Sequence, residues 1–186
     1  MRKLIESTFV TLGGDIGAPQ DWGSRYLSGS EQEQYLSELL FRADALVLGR
    51  KTYEGLSAGY LAMAETATGS NSFVERMNAI PKYVASTTLT QLRWNATLLG
   101  RDVAGEIAKL KQQPGKYLLK YGTGSFDQTL LLNRLIDEYR IWMVPVTNAP
   151  GQRLFEGVDP TGLVLTGTRT FSSGVVLLTY EPAATR

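Results

Sequence analysis

The segment Ala45-Leu46-Val47-Leu48-Gly49-Arg50-Lys51-Thr52 constrains this chain more than any other. Four apolar residues in a row read as a short strand buried on both faces, hence a central strand of a parallel sheet. The strand runs straight into a glycine, two cations and a hydroxyl. At the start of a helix that set gathers backbone N–H groups and positive charge at one point, which suits a phosphate. A second corner of similar logic stands at Tyr121-Gly122-Thr123-Gly124-Ser125. Two such corners in one α/β chain point to a dinucleotide held across a sheet edge.

The flanking pattern supports an alternating α/β order. Lys3–Leu12 reads as a first strand, and Gly13–Pro19 as a turn-rich loop. Ser30 and Glu33 form a capping box for a helix to about Phe41, with Tyr35, Leu36, Leu39 and Leu40 on its buried face. Residues 55–69, rich in Ala, Gly, Ser and Thr, read as irregular. Ser72 and Glu75 form a second capping box, opening a short helix that stops before Pro81. Strands are expected at Lys82–Ser86, Ala96–Leu99, Tyr117–Tyr121 and Asp137–Val146. Helices are expected from Asp102 to Gln113 and from Gly124 to Leu132. Leu163–Phe171 and Val175–Tyr180 face each other across Ser172-Ser173-Gly174 as a hairpin. The expected fold is therefore a single α/β domain over residues 1–186, with a mainly parallel sheet and an antiparallel C-terminal hairpin.

Composition narrows the chemistry. The chain has no Cys and no His. Thiol nucleophiles, imidazole bases and Cys/His zinc sites are excluded. No Asp-rich loop of metal-binding spacing occurs, so no metal is expected. The net charge of +1 gives no electrostatic footprint for nucleic acid or acidic membranes. No apolar run reaches the length of a membrane span, and Glu6 interrupts the N-terminal apolar stretch. A cytoplasmic protein acting on a small molecule is the expectation. Its chemistry must come from Asp, Glu, Lys, Tyr, Ser, Thr or a bound cofactor.

Five segments in order carry a resemblance. They are Ser7–Gly14, Leu48–Glu54, Arg76–Val84, Tyr121–Ser125 and Gly151–Phe155. Together they resemble the dihydrofolate reductase-like fold, a three-layer α/β arrangement. More closely, the chain is similar to the reductase half of the bifunctional deaminase–reductase of riboflavin synthesis and its free-standing bacterial relatives. The resemblance implies NADPH as cofactor, hydride transfer to a ribosylaminopyrimidine, and a homodimer formed through the C-terminal strands. A dihydrofolate- or pteridine-type reductase and a non-catalytic NADP-binding module stay open as alternatives.

By the same resemblance, Gly49, Arg50, Lys51 and Thr52 would hold the pyrophosphate and the adenosine phosphate. Ser86 and Thr87 would meet the adenosine ribose or its 2′-phosphate. Gly122, Thr123, Gly124 and Ser125 would let the backbone approach the pyrophosphate, and Ile16, Gly17 and Ala18 would edge the nicotinamide. Arg50 and Lys51 favour NADPH over NADH. Thr11, Trp22 and Arg153 are candidate substrate contacts. The family pattern Thr-Leu-Asp-Gly reads Thr11-Leu12-Gly13-Gly14 here, so the expected acid is missing from its place. Asp15 and Glu33 are the candidate catalytic carboxylates, and for Glu33 a capping role competes. Lys120 and Tyr121, and Pro150 before Gly151, also depart from the family pattern.

Overall fold

A computed structural model of the chain describes residues 1–27, 30–66, 69–147, 151–158, 160 and 162–183. In chain order the elements are β1 (Lys3–Thr11), α1 (Pro19–Trp22), α2 (Ser24–Leu27), α3 (Ser30–Arg42), β2 (Ala45–Gly49), α4 (Arg50–Thr66) and α5 (Ser72–Ala79). There follow β3 (Lys82–Ala85), β4 (Ala96–Leu98), α6 (Val103–Gln112), β5 (Tyr117–Tyr121), α7 (Ser125–Leu132), β6 (Glu138–Val144), β7 (Leu163–Thr170) and β8 (Val176–Pro182).

The strands form one eight-stranded sheet in the order β4-β3-β2-β5-β1-β6-β8-β7. The first six in that order are parallel to their neighbours, and β8 and β7 close the far side antiparallel. Strand alternation separates two packed layers. Leu46, Leu48 and Leu119 face α3, α4 and α5, through Leu39, Leu40, Tyr53 and Met77. Ala45, Val47 and Leu118 face α6 and α7, through Ile107, Leu110 and Leu130. β2 is thus apolar on both faces because a helical layer covers each. A third cluster joins α3 to β6 and β8, with Trp142 stacked on Phe171 at 5.4 Å and meeting Tyr35 edge-on at 5.3 Å.

Three local expectations are corrected. Residues 55–66 are helical, not irregular: Tyr53, Leu56, Ser57, Tyr60 and Leu61 recur at helical spacing and pack towards the α3–α5 layer. Gly55 and Gly59 leave open space on the opposite side, so packing of one stripe outweighs their poor propensity. The cap of α5 is Asn71, not Ser72; its Oδ1 accepts from the N–H groups of Phe73 and Val74. The loop after β1 carries two short helices, started by Pro19 at the first helical position. The cap at Asp102 is present, accepting from the Gly105 N–H at 3.0 Å, and Gly174 turns the β7–β8 hairpin at φ +86°. The side chain of Ser30 and all of Pro150 lie outside the described residues. No described helix is long and apolar enough to cross a membrane.

Lys82 shows what the layers demand of a polar group. Its side chain is buried, lies over the Trp94 ring at 4.1 Å and donates to the carbonyls of Ile80 and Asn78 at 2.7 and 3.1 Å. Burial pushes its ammonium down to about 8, with the nearby Arg76 charge adding to the shift. A lysine lowered on folding binds fewer protons in the native state than in the unfolded chain. Its penalty is therefore full below about pH 8 and is relieved as pH rises towards 10.5. Urea unfolding at pH 7.5 and at pH 9.5 should show the wild type gaining on Lys82→Met between the two. An equal difference at both pH values would refute the lowered value.

Candidate functional site

The two glycine corners meet because β2 and β5 are neighbours in the sheet. Each corner then packs on the helix that follows the other. A Cβ placed on Gly122, at φ +71°, would stand 2.8 Å from Thr52 Oγ1 at the start of α4. A Cβ on Gly49 would lie 3.8 Å from Phe126 Cβ at the start of α7. Only Gly122 is locked as glycine by sterics and dihedral angle; Gly49 has room for a methyl group.

Together the corners open a cleft of about 1090 Å³ at the carboxyl ends of β2, β3, β4 and β5. This is the place where open α/β sheets receive ligands. Gly49, Arg50, Lys51, Thr52, Ser86, Thr87, Gly122, Thr123, Gly124 and Ser125 all line it. Sequence reasoning missed Arg101, Lys120, Asp127, Gln152 and Glu156, which also line it. Lys120 and Asp127 flank the second glycine corner in sequence, whereas Arg101, Gln152 and Glu156 come from distant loops that the fold brings in.

Several of these side chains already have partners. The Arg50 guanidinium runs along its helix to Glu54, 3.1 Å away. Ser86 Oγ accepts from the N–H groups of Thr88 and Leu89 at 3.2 and 3.1 Å, holding its own turn. Lys51 and Arg101 are exposed. A Cβ on Gly124 would meet open space, whereas Thr123 Oγ1 is buried without a partner.

Beneath the cleft lies a buried row of polar groups. Register places Glu6 beside Lys120 on one side and beside Tyr139 on the other. The Lys120 ammonium is 2.6 Å from Asp127 Oδ1 and 3.5 Å from Glu6 Oε2. It also donates to the carbonyl of Gly122. Asp127 Oδ2 accepts from the Gly124 N–H at 2.5 Å. Burial pushes the Glu6 carboxyl well above the usual carboxylate range; Lys120 opposes the shift and Asp127 adds to it. Burial likewise raises the Tyr139 hydroxyl.

The loop after β1 stands apart from the residues that line the cleft. Ile16 N–H donates to Gln152 O at 2.9 Å, Leu154 N–H to Gly14 O at 2.8 Å, and Asp15 bridges Arg153 in antiparallel fashion. Gln152 therefore joins this loop to the end of the cleft. A Cβ on Gly151 would reach Gly17 Cα at 2.9 Å, so the two strips of backbone touch. Ala18 adopts φ +45° and Trp22 Nε1 donates to Gly17 O at 2.7 Å, fixing the loop's return. Thr11 is fully buried; its Oγ1 donates to Asp15 Oδ2 at 3.1 Å and accepts from the Asp15 N–H at 3.0 Å. Arg153 is exposed, with its backbone N–H on Glu156. Glu33 is exposed on the first turn of α3, outside the cleft lining; the buried residue of that turn is Gln32.

Comparison with known proteins agrees with this architecture. Residues 2–177 match the RibD C-terminal domain. The uncharacterized protein YyaP of Bacillus subtilis (strain 168) is 30% identical over 184 residues, 97% of this chain and 95% of that protein. Dihydrofolate reductase from Enterococcus faecalis, in complex with NADP(H), superposes with a TM-score of 0.63 at 16% identity, covering 98% of this chain and 97% of its own. The diaminohydroxyphosphoribosylaminopyrimidine deaminase/5-amino-6-(5-phosphoribosylamino)uracil reductase of Thermotoga maritima does so at 0.63 and 14% identity, over 98% of this chain and 57% of its own. The fold is dihydrofolate reductase-like.

The glycine contrast yields a direct test of the corner packing. Gly122→Ala should destabilise by about 1–3 kcal/mol, from the left-handed dihedral and the Thr52 clash. Gly49→Ala should stay within about 0.5 kcal/mol of wild type. Urea denaturation of the two variants checks this; equal losses would contradict the asymmetry.

Proposed function

This chain belongs to the RibD C-terminal domain family, and from that premise we propose that it is an NADPH-dependent reductase of a small heterocyclic substrate. The compound reduced is 5-amino-6-(5-phosphoribosylamino)uracil or a close relative. The observation that carries the reading is the cleft at the strand ends, lined by both glycine corners. Its volume, about 1090 Å³, is ample for a dinucleotide.

The lining fits that group. The first turn of α4 holds no acid of the kind that selects an unphosphorylated ribose, and offers Arg50 and Lys51 instead. Lys51, Arg101 and Thr87 are exposed for an adenosine 2′-phosphate. Arg50 can join them by leaving Glu54, since an exposed ion pair is worth only about 0–1 kcal/mol. Thr123 Oγ1 is a buried hydroxyl in need of a partner, and the open space at Gly124 admits close backbone approach. Bound there, NADPH would supply the hydride; the chain supplies orientation and charge. Ile16, Gly17 and Ala18 would edge the nicotinamide from the adjoining loop, and Thr11, Trp22 and Arg153 would contact substrate.

Asp15 is the better placed of the two candidate acids. A side chain at Gly13 would press on Thr147 O at 2.5 Å and on Asp15 Oδ2 at 2.9 Å. The carboxylate of residue 15 thus stands against the space that the family's acid would enter from residue 13. Asp15 is buried and oriented by Thr11, as a group that guides a proton or a substrate amine should be. The exposed edge strand β7, with Val164 and Leu165 on it, supports pairing with a second copy.

Glycine at position 13, where the family pattern has its acid, favours a second reading, a binding module that no longer catalyses. One experiment separates the two. Wild type should bind NADPH about tenfold or more tightly than NADH by tryptophan fluorescence. It should also oxidise NADPH when given the deaminated ribosylaminopyrimidine. Asp15→Asn should lower kcat by about 10²-fold or more while leaving the NADPH Kd unchanged. Tight binding with no turnover supports the module; equal affinity for both dinucleotides refutes the cofactor assignment.

A further inference from the structure

The family motif gives no account of Lys120. It precedes the glycine corner on β5, is 1% exposed, and sits among Glu6, Asp127 and Tyr139 in an otherwise apolar layer. Its contacts nevertheless converge on the turn. The ammonium holds the carbonyl of Gly122, and its ion-pair partner Asp127 holds the N–H of Gly124. One buried pair therefore grips the turn at both ends.

The geometry of the peptide unit gives this grip a consequence. The peptide bond between Gly122 and Thr123 is trans, so the Gly122 carbonyl and the Thr123 N–H point in opposite directions. Tying the carbonyl down to Lys120 turns the Thr123 N–H away from it. Among the described residues that N–H meets no acceptor, and Thr123 Oγ1 is buried without one. Both belong to a residue that lines the cleft. Gly122, at φ +71°, is where an unrestrained turn would most readily rotate.

We propose that Lys120 is a positioning residue: paired with Asp127, it clamps the Gly122–Gly124 turn so that the Thr123 N–H and hydroxyl are held ready for the pyrophosphate of the dinucleotide. The inference rests on the reading of the cleft as an NADPH site. The clamp lowers the ordering cost that a mobile glycine turn would otherwise meet on binding. A buried pair of this kind is weak evidence for stability as such, which leaves room for a role in the site.

The test compares wild type, Lys120→Met and the double variant Lys120→Met with Asp127→Asn. Calorimetry measures NADPH and 2′-AMP, the second of which has the 2′-phosphate but no pyrophosphate; circular dichroism and thermal melts report folding. A clamp predicts NADPH binding about tenfold or more weaker, with 2′-AMP within about twofold of wild type. The double variant removes both charges and keeps an acceptor for Gly124, so it serves where the single variant leaves Asp127 unpaired and unfolds the chain. Unchanged NADPH affinity in a folded variant overturns the proposal. Equal loss of both ligands overturns it too, because a general loss of cleft structure would then explain the effect. If neither variant folds, the pair is an element of folding and the positioning role falls. Wild type that binds no NADPH takes down the cleft reading and the clamp together.

Discussion

The contact between Gly122 and Thr52 governs where everything else at the cleft can stand. β2 and β5 are adjacent, so the helices that leave them, α4 and α7, must start side by side. Two helix starts this close would collide if both corners carried side chains. Gly122 removes the collision on one side, and the positive φ that only glycine takes readily turns the chain into α7. The N-terminal ends of both helices then point into one space, with their N–H groups and positive dipole ends together. A cleft faced by two helix N-termini is thus a consequence of strand order and one missing side chain.

That arrangement leaves a problem beneath it. Lys120, Glu6 and Tyr139 stand in register on the layer that also holds Leu4, Val10 and Leu118. Burying a cation and a carboxylate costs several kcal/mol each unless their partners are well placed. Lys120 and Asp127 are, at 2.6 Å. Glu6 is not: its nearest cation is 3.5 Å away and one oxygen lacks a hydrogen bond, while burial pushes its carboxyl well above the usual carboxylate range. The row thus holds one close ion pair beside a more distant carboxyl. Buried pairs of this kind often add little to stability, and the contacts of Lys120 and Asp127 are with the turn above.

What could be read from the sequence follows from how far each signal reaches along the chain. The strand-to-helix corners are local, and Gly49–Thr52 and Gly122–Ser125 come together where a shared cleft was expected. The parallel sheet with its C-terminal hairpin was legible from apolar runs and turn residues. Helix α4 was hidden because Gly55, Gly59 and a run of small residues mask a stripe of Tyr53, Leu56, Tyr60 and Leu61 that only burial reveals. Asn71 was missed beside Ser72 because both can cap, and geometry alone chooses between them. Arg101 and Gln152 reach the cleft by chain reversal and carry no periodicity, whereas Asp127 stands in the first turn of α7, three residues past Gly124. Lys120 looked like an anomaly in a strand; its meaning depends on register with Glu6, more than a hundred residues away.

The loop after β1 places its carboxylate by folding back on itself. A carboxylate two residues late in a motif would ordinarily point elsewhere. Here the chain turns back on itself: Gly14 N–H donates to Thr11 O, and Thr11 N–H to Asp15 O. The reversal brings residue 15 back over residue 13. With Gly13 against the Thr147 carbonyl, no side chain is admitted there without a shift, and the carboxylate of residue 15 lies against the same spot. What changes is its company, since Asp15 now shares a buried hydrogen-bond pair with Thr11. Thr11 thereby fixes the orientation of the carboxylate through Oδ2.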